Sequence, residues 1–245
     1  ENSKNFYKLK KKYNFLIIED ACHALGSEYF YEGQLLKIGS CKHADISTFS
    51  LHPVKTITTG EGGIITTNNL SIAKNIKLYR SHGMLRSKKN HWEYDIIDHG
   101  YNYRLSDINS ALGLSQLKKI NKFLKQRKKI YYHYISELSN FNSYFKIPKY
   151  SNIGKSSFHL FLVNIDFNKL KKNKKNFMRY LLGNNIITQQ HYIPIYKFRA
   201  YKENSRYFPG AKQFFDNSLS IPIFVDLSFA KQKFVIKTIK DYFKN

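Results

Sequence analysis

Between residues 44 and 67 the chain reads as strand, loop, strand, and this segment limits what it can fold into more than any other. Ala44–Ser50 (ADISTFS) is rich in β-branched and aromatic residues, Gly60-Glu61-Gly62-Gly63 supplies a flexible loop, and Ile64–Thr67 is a second β-branched run. Upstream, the apolar segment Phe15–Ile18 ends at Glu19-Asp20, which predicts a short buried strand closed by acidic residues. Ser27–Leu36 predicts a hairpin turning at Glu32-Gly33. Helical spacing follows at Leu70–His82, with Ile72, Ile76 and Tyr79 on one face and Gly83 placed as a C-cap.

Residues 84–104 carry few periodic signals and predict a long loop. From Leu105 to about Leu138 the pattern is helical, with Ser106 or Asp107 available as a cap, and a helix of that reach links two subdomains or bends between them. Beyond residue 140, a strand at Phe158–Ile165, a basic helix at Asn168–Leu182, a strand around Ile186–His191 and a terminal helix at Leu227–Phe243 predict a smaller α+β domain. The expected division is 1–125 and 126–245.

Forty-one Lys and Arg against 17 Asp and Glu give a net charge of +24, which raises the question of a nucleic-acid or anionic-membrane partner. The cations are mostly Lys, spread along the whole chain beside frequent Asn, Ile, Tyr and Phe, and no helix-turn-helix, zinc-finger or RNP pattern appears. The charge therefore reads as background composition, and neither nucleic acid nor membrane is expected as a partner. No run approaches the roughly 20 apolar residues of a spanning helix, and the first residues lack the apolar stretch of a signal peptide. Two cysteines, Cys22 and Cys41, build neither a disulfide framework nor a zinc site. A cytoplasmic protein is expected.

Two clusters carry candidate chemistry. Asp20 ends a strand where open α/β sheets place ligands, although a strand-end Asp also caps turns. A metal site of Asp20, Cys22 and His23 is weak, because adjacent strand residues point to opposite faces, and none is expected. Lys55 stands in an apolar, Thr- and Gly-rich turn, SLHPVKTITTGEGG, unlike lysines in polar runs. Such a setting favours a nucleophilic amine; an incidental surface-turn Lys is the plain alternative. Ser50, at a strand end, can donate to a phosphate. Together, Asp20, Lys55 and Ser50 are the parts pyridoxal 5'-phosphate (PLP) requires: a carboxylate for its ring nitrogen, an amine for its aldehyde and a phosphate donor.

IIEDACHALGSEY, DISTFSLHPVKTITTGEGGIITTN, SHGM and GYNYRLSDINSALGLSQL together resemble the DegT/DnrJ/StrS family of nucleotide-sugar aminotransferases. The resemblance implies an α/β chain of the aspartate aminotransferase type (fold type I), with residues 1–125 in a large, mainly parallel sheet domain that binds PLP and 126–245 in a small C-terminal α+β domain. It makes Lys55 the Schiff-base lysine and Asp20 the partner of the pyridine nitrogen, both catalytic, with His23 near the phenolic oxygen and Ser50 on the phosphate. Asn102 of GYNYR matches a residue that reaches the phosphate of a neighbouring subunit's cofactor, which implies a homodimer with shared active sites. SLHPVK, HYIPIYKF and LSIPIF are similar to the pseudaminic-acid branch of the family. That likeness implies that His191, Tyr192 and Pro194 line a sugar-nucleotide pocket, and that an amino group passes from L-glutamate to C4 of a UDP-4-keto-6-deoxy-N-acetylhexosamine. His191 and Tyr192 are equally readable as core-facing strand residues, and Asn102 as a turn residue. Another sugar of the same family, or a noncatalytic basic binding module, are the alternatives. Nothing before Asp20 resembles the family's phosphate loop at a helix N-terminus, so a large domain incomplete at its N-terminal side is expected.

Overall fold

A computed structural model describes all residues except 1–2, 140, 142, 148–153, 202–206 and 245, and the side chains of residues 3 and 4. The chain separates into two compact units, Glu1–Lys122 with Ser151–Ser157, and Phe123–Tyr150 with Phe158–Asn245.

In the first unit the basic run Lys8–Lys12 forms the last turns of a helix, α1 (Ser3–Tyr13). Lys10 of α1 pairs with Asp45, whose other oxygen accepts the Ile17 N–H at 2.8 Å. Burial works against the Asp45 carboxylate, but the Ile17 amide and Lys10 together hold its pKa below the ordinary value. The expected buried strand at Phe15–Ile18 is displaced. β1 covers Ile18–Asp20, and its Ile18 is 65% exposed.

β2 (Glu28–Tyr31) and β3 (Gln34–Lys37) form the expected hairpin, and β2 also pairs antiparallel with β9 (Gly154–Lys155). Glu32 (φ 48°) and Gly33 (φ 76°) both take positive φ, as a two-residue turn matched to strand twist requires. β4 (Ile46–Ser50) pairs parallel with β1 and antiparallel with β5 (Gly63–Thr66), so the described part of the expected parallel sheet contains one parallel ladder.

Asn69 caps α2 (Leu70–Arg80) through hydrogen bonds from the Ser71 and Ile72 amides. The expected loop at 84–104 instead holds a short antiparallel pair, β6 (Met84–Arg86) and β7 (Tyr94–Ile96). Three-residue strands this exposed leave no alternation to read. The expected helix at 105–138 is two: α3 (Asp107–Leu117), capped by Ser106, and α4 (Ile120–Leu138). The boundary between the units falls in the first turn of α4.

The second unit has a dense core. Its sheet places β10 (Phe161–Ile165) between β8 (Phe145–Lys146) and β11 (Ser218–Ile221), all antiparallel. Phe161, Val163 and Ile165 are fully buried while Leu162 and Asn164 are half-exposed, the period-2 alternation of a one-sided sheet. α4, α5 (Lys174–Gly183) and α7 (Phe229–Lys244) contribute Tyr134, Leu138, Phe177, Leu181 and Ile239 to the same cluster. The basic helix starts at Lys174 rather than 168, because Asn173 accepts the Lys175 and Asn176 amides and caps it there. α6 (Pro209–Asn217) precedes β11 directly. The expected strand at 186–191 reduces to a single bridge, Gln189 with Ser220.

Candidate active site

β1 and β4 run in parallel with Asp20 opposite Thr48, and the Ala21 N–H donates to Thr48 O at 2.9 Å. Asp20 is the last residue of β1 and Ser50 the last of β4, so both lie at the carboxyl edge of the ladder, where such sheets receive ligands. Strand alternation sends Glu19 and Asp20 to opposite faces. Glu19 Oε2 accepts from Ser47 Oγ at 2.7 Å and from the Gly39 N–H at 3.3 Å, which braces it within the unit.

Asp20 is exposed and accepts the Cys22 N–H at 3.0 Å. Hydrogen bonds from the Cys22 side chain and backbone hold the Asp20 carboxyl below the ordinary carboxylate range, and the charges of His23 and Lys55 reinforce this against a burial penalty. The same hydrogen bond to Asp20 pushes the Cys22 thiol up. The result is a carboxylate that stays anionic and open to a ligand.

The loop that carries Lys55 closes on Leu51, which is 2% exposed. The Leu51 N–H donates to Gly62 O at 2.9 Å, and Leu51 O accepts the Thr59 N–H and the Thr58 hydroxyl, each at 3.0 Å. Inside that closure the Lys55 N–H donates to His52 O at 2.9 Å. Glu61 Oε1 lies 3.7 Å from His52 Nε2, and the Glu61 carbonyl accepts Thr59 Oγ1 at 2.8 Å and Asn109 Nδ2 at 3.4 Å. Gly62 is required at this point: its φ is +156°, and a Cβ there would stand 2.5 Å from Thr59 Oγ1 and 3.0 Å from Leu105 Cδ1. Thus α3 and its approach pack against the loop, and Lys55 is left half-buried, close enough for its charge to help lower the Asp20 carboxyl and to oppose in part the net rise of the Cys22 thiol.

Asp20, His23, Ser50 and Lys55 therefore gather around the ends of β1 and β4. Asn102 is in the same unit, but its backbone pairs with Ser81, between hydrogen bonds from Tyr101 N–H to Tyr79 O and from Tyr103 N–H to Arg80 O. His191, Tyr192 and Pro194 belong to the second unit. There His191 Nδ1 meets Ser220 Oγ at 2.8 Å, Tyr192 is 61% exposed, and Pro194 precedes a 3-10 turn at Ile195–Lys197. Tyr192 is accordingly not a core residue.

A model of the DegT/DnrJ/EryC1/StrS aminotransferase family matches residues 4–240. The chain belongs to that family. It is 43% identical over 233 residues to the UDP-4-amino-4,6-dideoxy-N-acetyl-β-L-altrosamine transaminase of Campylobacter jejuni strain 81-176, covering 94% of this chain and 59% of that protein. The Helicobacter pylori enzyme of the same name is 37% identical over 223 residues, covering 90% of this chain and 57% of that protein. The chain thus spans less than two thirds of the length of these relatives. Helicobacter pylori PseC, described as an aminotransferase in the biosynthesis of pseudoaminic acid, superposes over 100% of this chain and 64% of its own with a TM-score of 0.86 at 32% identity. The α/β architecture is that of this family's solved structures.

The sequence reading overlooked Cys22 as a neighbour of Asp20, weighing it only as a metal ligand. The signal was present: an Asp two residues before an amide at a strand end forms an Asx-type turn. Among the described residues no group of three or more His, Cys, Asp or Glu is placed to hold a metal, and no helix is long and apolar enough to cross a membrane.

Proposed function

We propose that the protein acts as a PLP-dependent aminotransferase, moving an amino group from L-glutamate to C4 of a UDP-4-keto-6-deoxy-N-acetylhexosamine, as a cytoplasmic homodimer. The observation that carries this reading is an Asp20 carboxyl held below its ordinary range at the end of β1, with the charge of Lys55 near enough to contribute, in a chain of this family. The donor set fits the cofactor: an anion for a ring nitrogen, an amine for an aldehyde and a hydroxyl for a phosphate. Spr1654 from Streptococcus pneumoniae, 29% identical with a TM-score of 0.82, was solved in a PLP form, which supports the assignment.

When bound, PLP supplies an electron sink that lets an amino group leave a donor amino acid and reach a keto carbon. Asp20 keeps a proton on the ring nitrogen, because Cys22, His23 and Lys55 all stabilise its negative charge. Ser50 would hold the phosphate through its hydroxyl, His23 would lie beside the phenolic oxygen, and Asn102 would reach the phosphate held by the partner subunit. The Lys55 amine takes the proton from the donor's α-carbon and returns it on the acceptor side, acting as base and then as acid. His191, Tyr192 and Pro194 contact the sugar nucleotide.

The test is spectroscopic and kinetic. Lys55→Ala is expected to abolish the visible band of bound PLP, and Asp20→Asn to retain cofactor while losing transamination of a UDP-4-keto sugar by at least about a hundredfold. A cofactor spectrum unchanged in Lys55→Ala removes Lys55 from the mechanism.

A further inference from the structure

In the second unit the last turn of α6 leaves carbonyl oxygens that no helical N–H reaches. One of them, Phe215 O, accepts from Gln190 Nε2 at 3.0 Å and from the ammonium of Lys174, which comes from the first turn of α5. The Phe215 ring gathers a second cation: Lys197 Nζ lies 3.9 Å from its centroid and Lys174 Nζ 5.1 Å. Two lysines thus converge on one residue, and neither takes part in an ion pair among the described residues. The carboxylate whose charge acts on Lys174 is that of Asp216, and it is already paired with Lys212.

A positive charge is poorly placed here. The half-buried ammonium loses hydration, Lys197 repels it, and Asp216 only partly opposes the two. These effects bring its pKa down to about 8. Near neutral pH roughly a tenth of the amine therefore carries a free lone pair, against less than about a thousandth for an exposed lysine. The same surroundings favour a negative group on this nitrogen, because a charge of opposite sign turns the repulsion from Lys197 into attraction. An acyl group would leave the nitrogen neutral and would need room beside Phe215 and Gln190. Carbon dioxide is three atoms long and leaves an anion.

We propose that Lys174 is a carbon dioxide acceptor, forming an N-carboxylate (carbamate) whose charge Lys197 neutralises. The Nζ lone pair forms the new N–C bond, one C=O electron pair moves onto oxygen, and an N–H proton leaves to water. Nothing is oxidised or reduced, and the remaining N–H is left to donate to Phe215 O. Neither Lys55 nor a bound cofactor takes part.

The 245-residue chain is equilibrated near neutral pH with carbon dioxide and bicarbonate, then treated with triethyloxonium, which converts a carbamate into a stable ethyl ester. Tandem mass spectrometry locates the ester. It is expected on Lys174 at no less than about tenfold its level on Lys175, the exposed next residue of α5. Lys197→Met should cut the Lys174 signal by about fivefold or more, because it removes both the repulsion that frees the amine and the cation that holds the product. Asp216→Asn should raise the signal for the opposite reasons. Lys197 is exposed and Asp216 partly so, and far-UV circular dichroism verifies that each variant is folded. A second measurement uses linkage: replacing chloride by bicarbonate at equal ionic strength should raise the urea midpoint of the parent but not of Lys174→Met, since the unfolded lysine is almost wholly protonated and takes up far less carbon dioxide. The proposal is overturned by an ester on Lys174 no more abundant than on Lys175, by a signal unchanged in Lys197→Met, by a fall in Asp216→Asn, or by equal midpoint shifts in the parent and Lys174→Met.

Discussion

Replacing Lys174 by methionine should change how stability depends on pH. Lys174 opens α5, where the helix dipole disfavours a cation, and its ammonium turns away to donate to the Phe215 carbonyl near the end of α6. Burial pushes its pKa from 10.5 down to about 8, with Lys197 adding repulsion and Asp216 partly opposing it. A fall of that size corresponds to roughly 3 kcal/mol acting against the folded chain wherever Lys174 is charged in both states. Partial solvent access reduces this to about 1.5–3 kcal/mol. Between pH 8 and 10.5 the unfolded lysine still holds its proton and the folded one does not, so the unfolded state binds more protons and stability rises with pH across that window. In Lys174→Met this contribution is absent. Urea unfolding of both proteins, followed by far-UV circular dichroism from about pH 7 to 10.5, isolates it, because the other lysines and tyrosines titrate in both. The parent should gain about 1.5–3 kcal/mol on the variant over the range. A stability difference that does not change with pH would refute the reasoning.

Two further outcomes are expected. Arg127, 4% exposed, donates to the carbonyls of Phe158, His159 and Ile223 at 3.3, 3.2 and 3.1 Å, and Arg127→Met leaves three acceptors, two of them on buried residues, without that donor. It should lose about 2–4 kcal/mol in urea unfolding, less than the gross sum because burying the guanidinium is itself costly; a variant as stable as the parent contradicts this. Gly83 takes a φ of +67°, and a Cβ on it would lie 1.8 Å from Asp98 O, so Gly83→Ala should loosen the β6–β7 hairpin by at least about 2 kcal/mol. Faster hydrogen exchange at the Ile97 amide, which donates to Gly83 O at 3.0 Å, measures it.

Local chemistry was readable wherever short-range rules act alone. The turn at Glu32-Gly33 and the alternating strand through Phe161–Ile165 follow from φ preference and burial period, whereas α2 stops at Arg80 with Ser81 as its C-cap, and Gly83 lies two residues beyond that cap, its N–H donating to Leu78 O at 3.0 Å. The readings at 84–104 and 186–191 failed for one reason: strands of three residues, or a single bridge such as Gln189 with Ser220, are fixed by what they pair with rather than by their own pattern. The helix at 105–138 was read as continuous because apolar spacing persists through Lys118-Lys119, although the backbone breaks there.

By itself the sequence determined the kinds and order of the chemical parts: a carboxylate at one strand end, a hydroxyl and then an amine after the next, in a motif order shared with one enzyme family. Only the tertiary structure decided which of them meet. Glu19 and Asp20 are neighbours in sequence, yet strand alternation braces Glu19 against Ser47 and leaves Asp20 free, with Cys22 and Lys55 fixing its charge. Residue type is local information, whereas electrostatic partnership depends on distances that the fold alone creates.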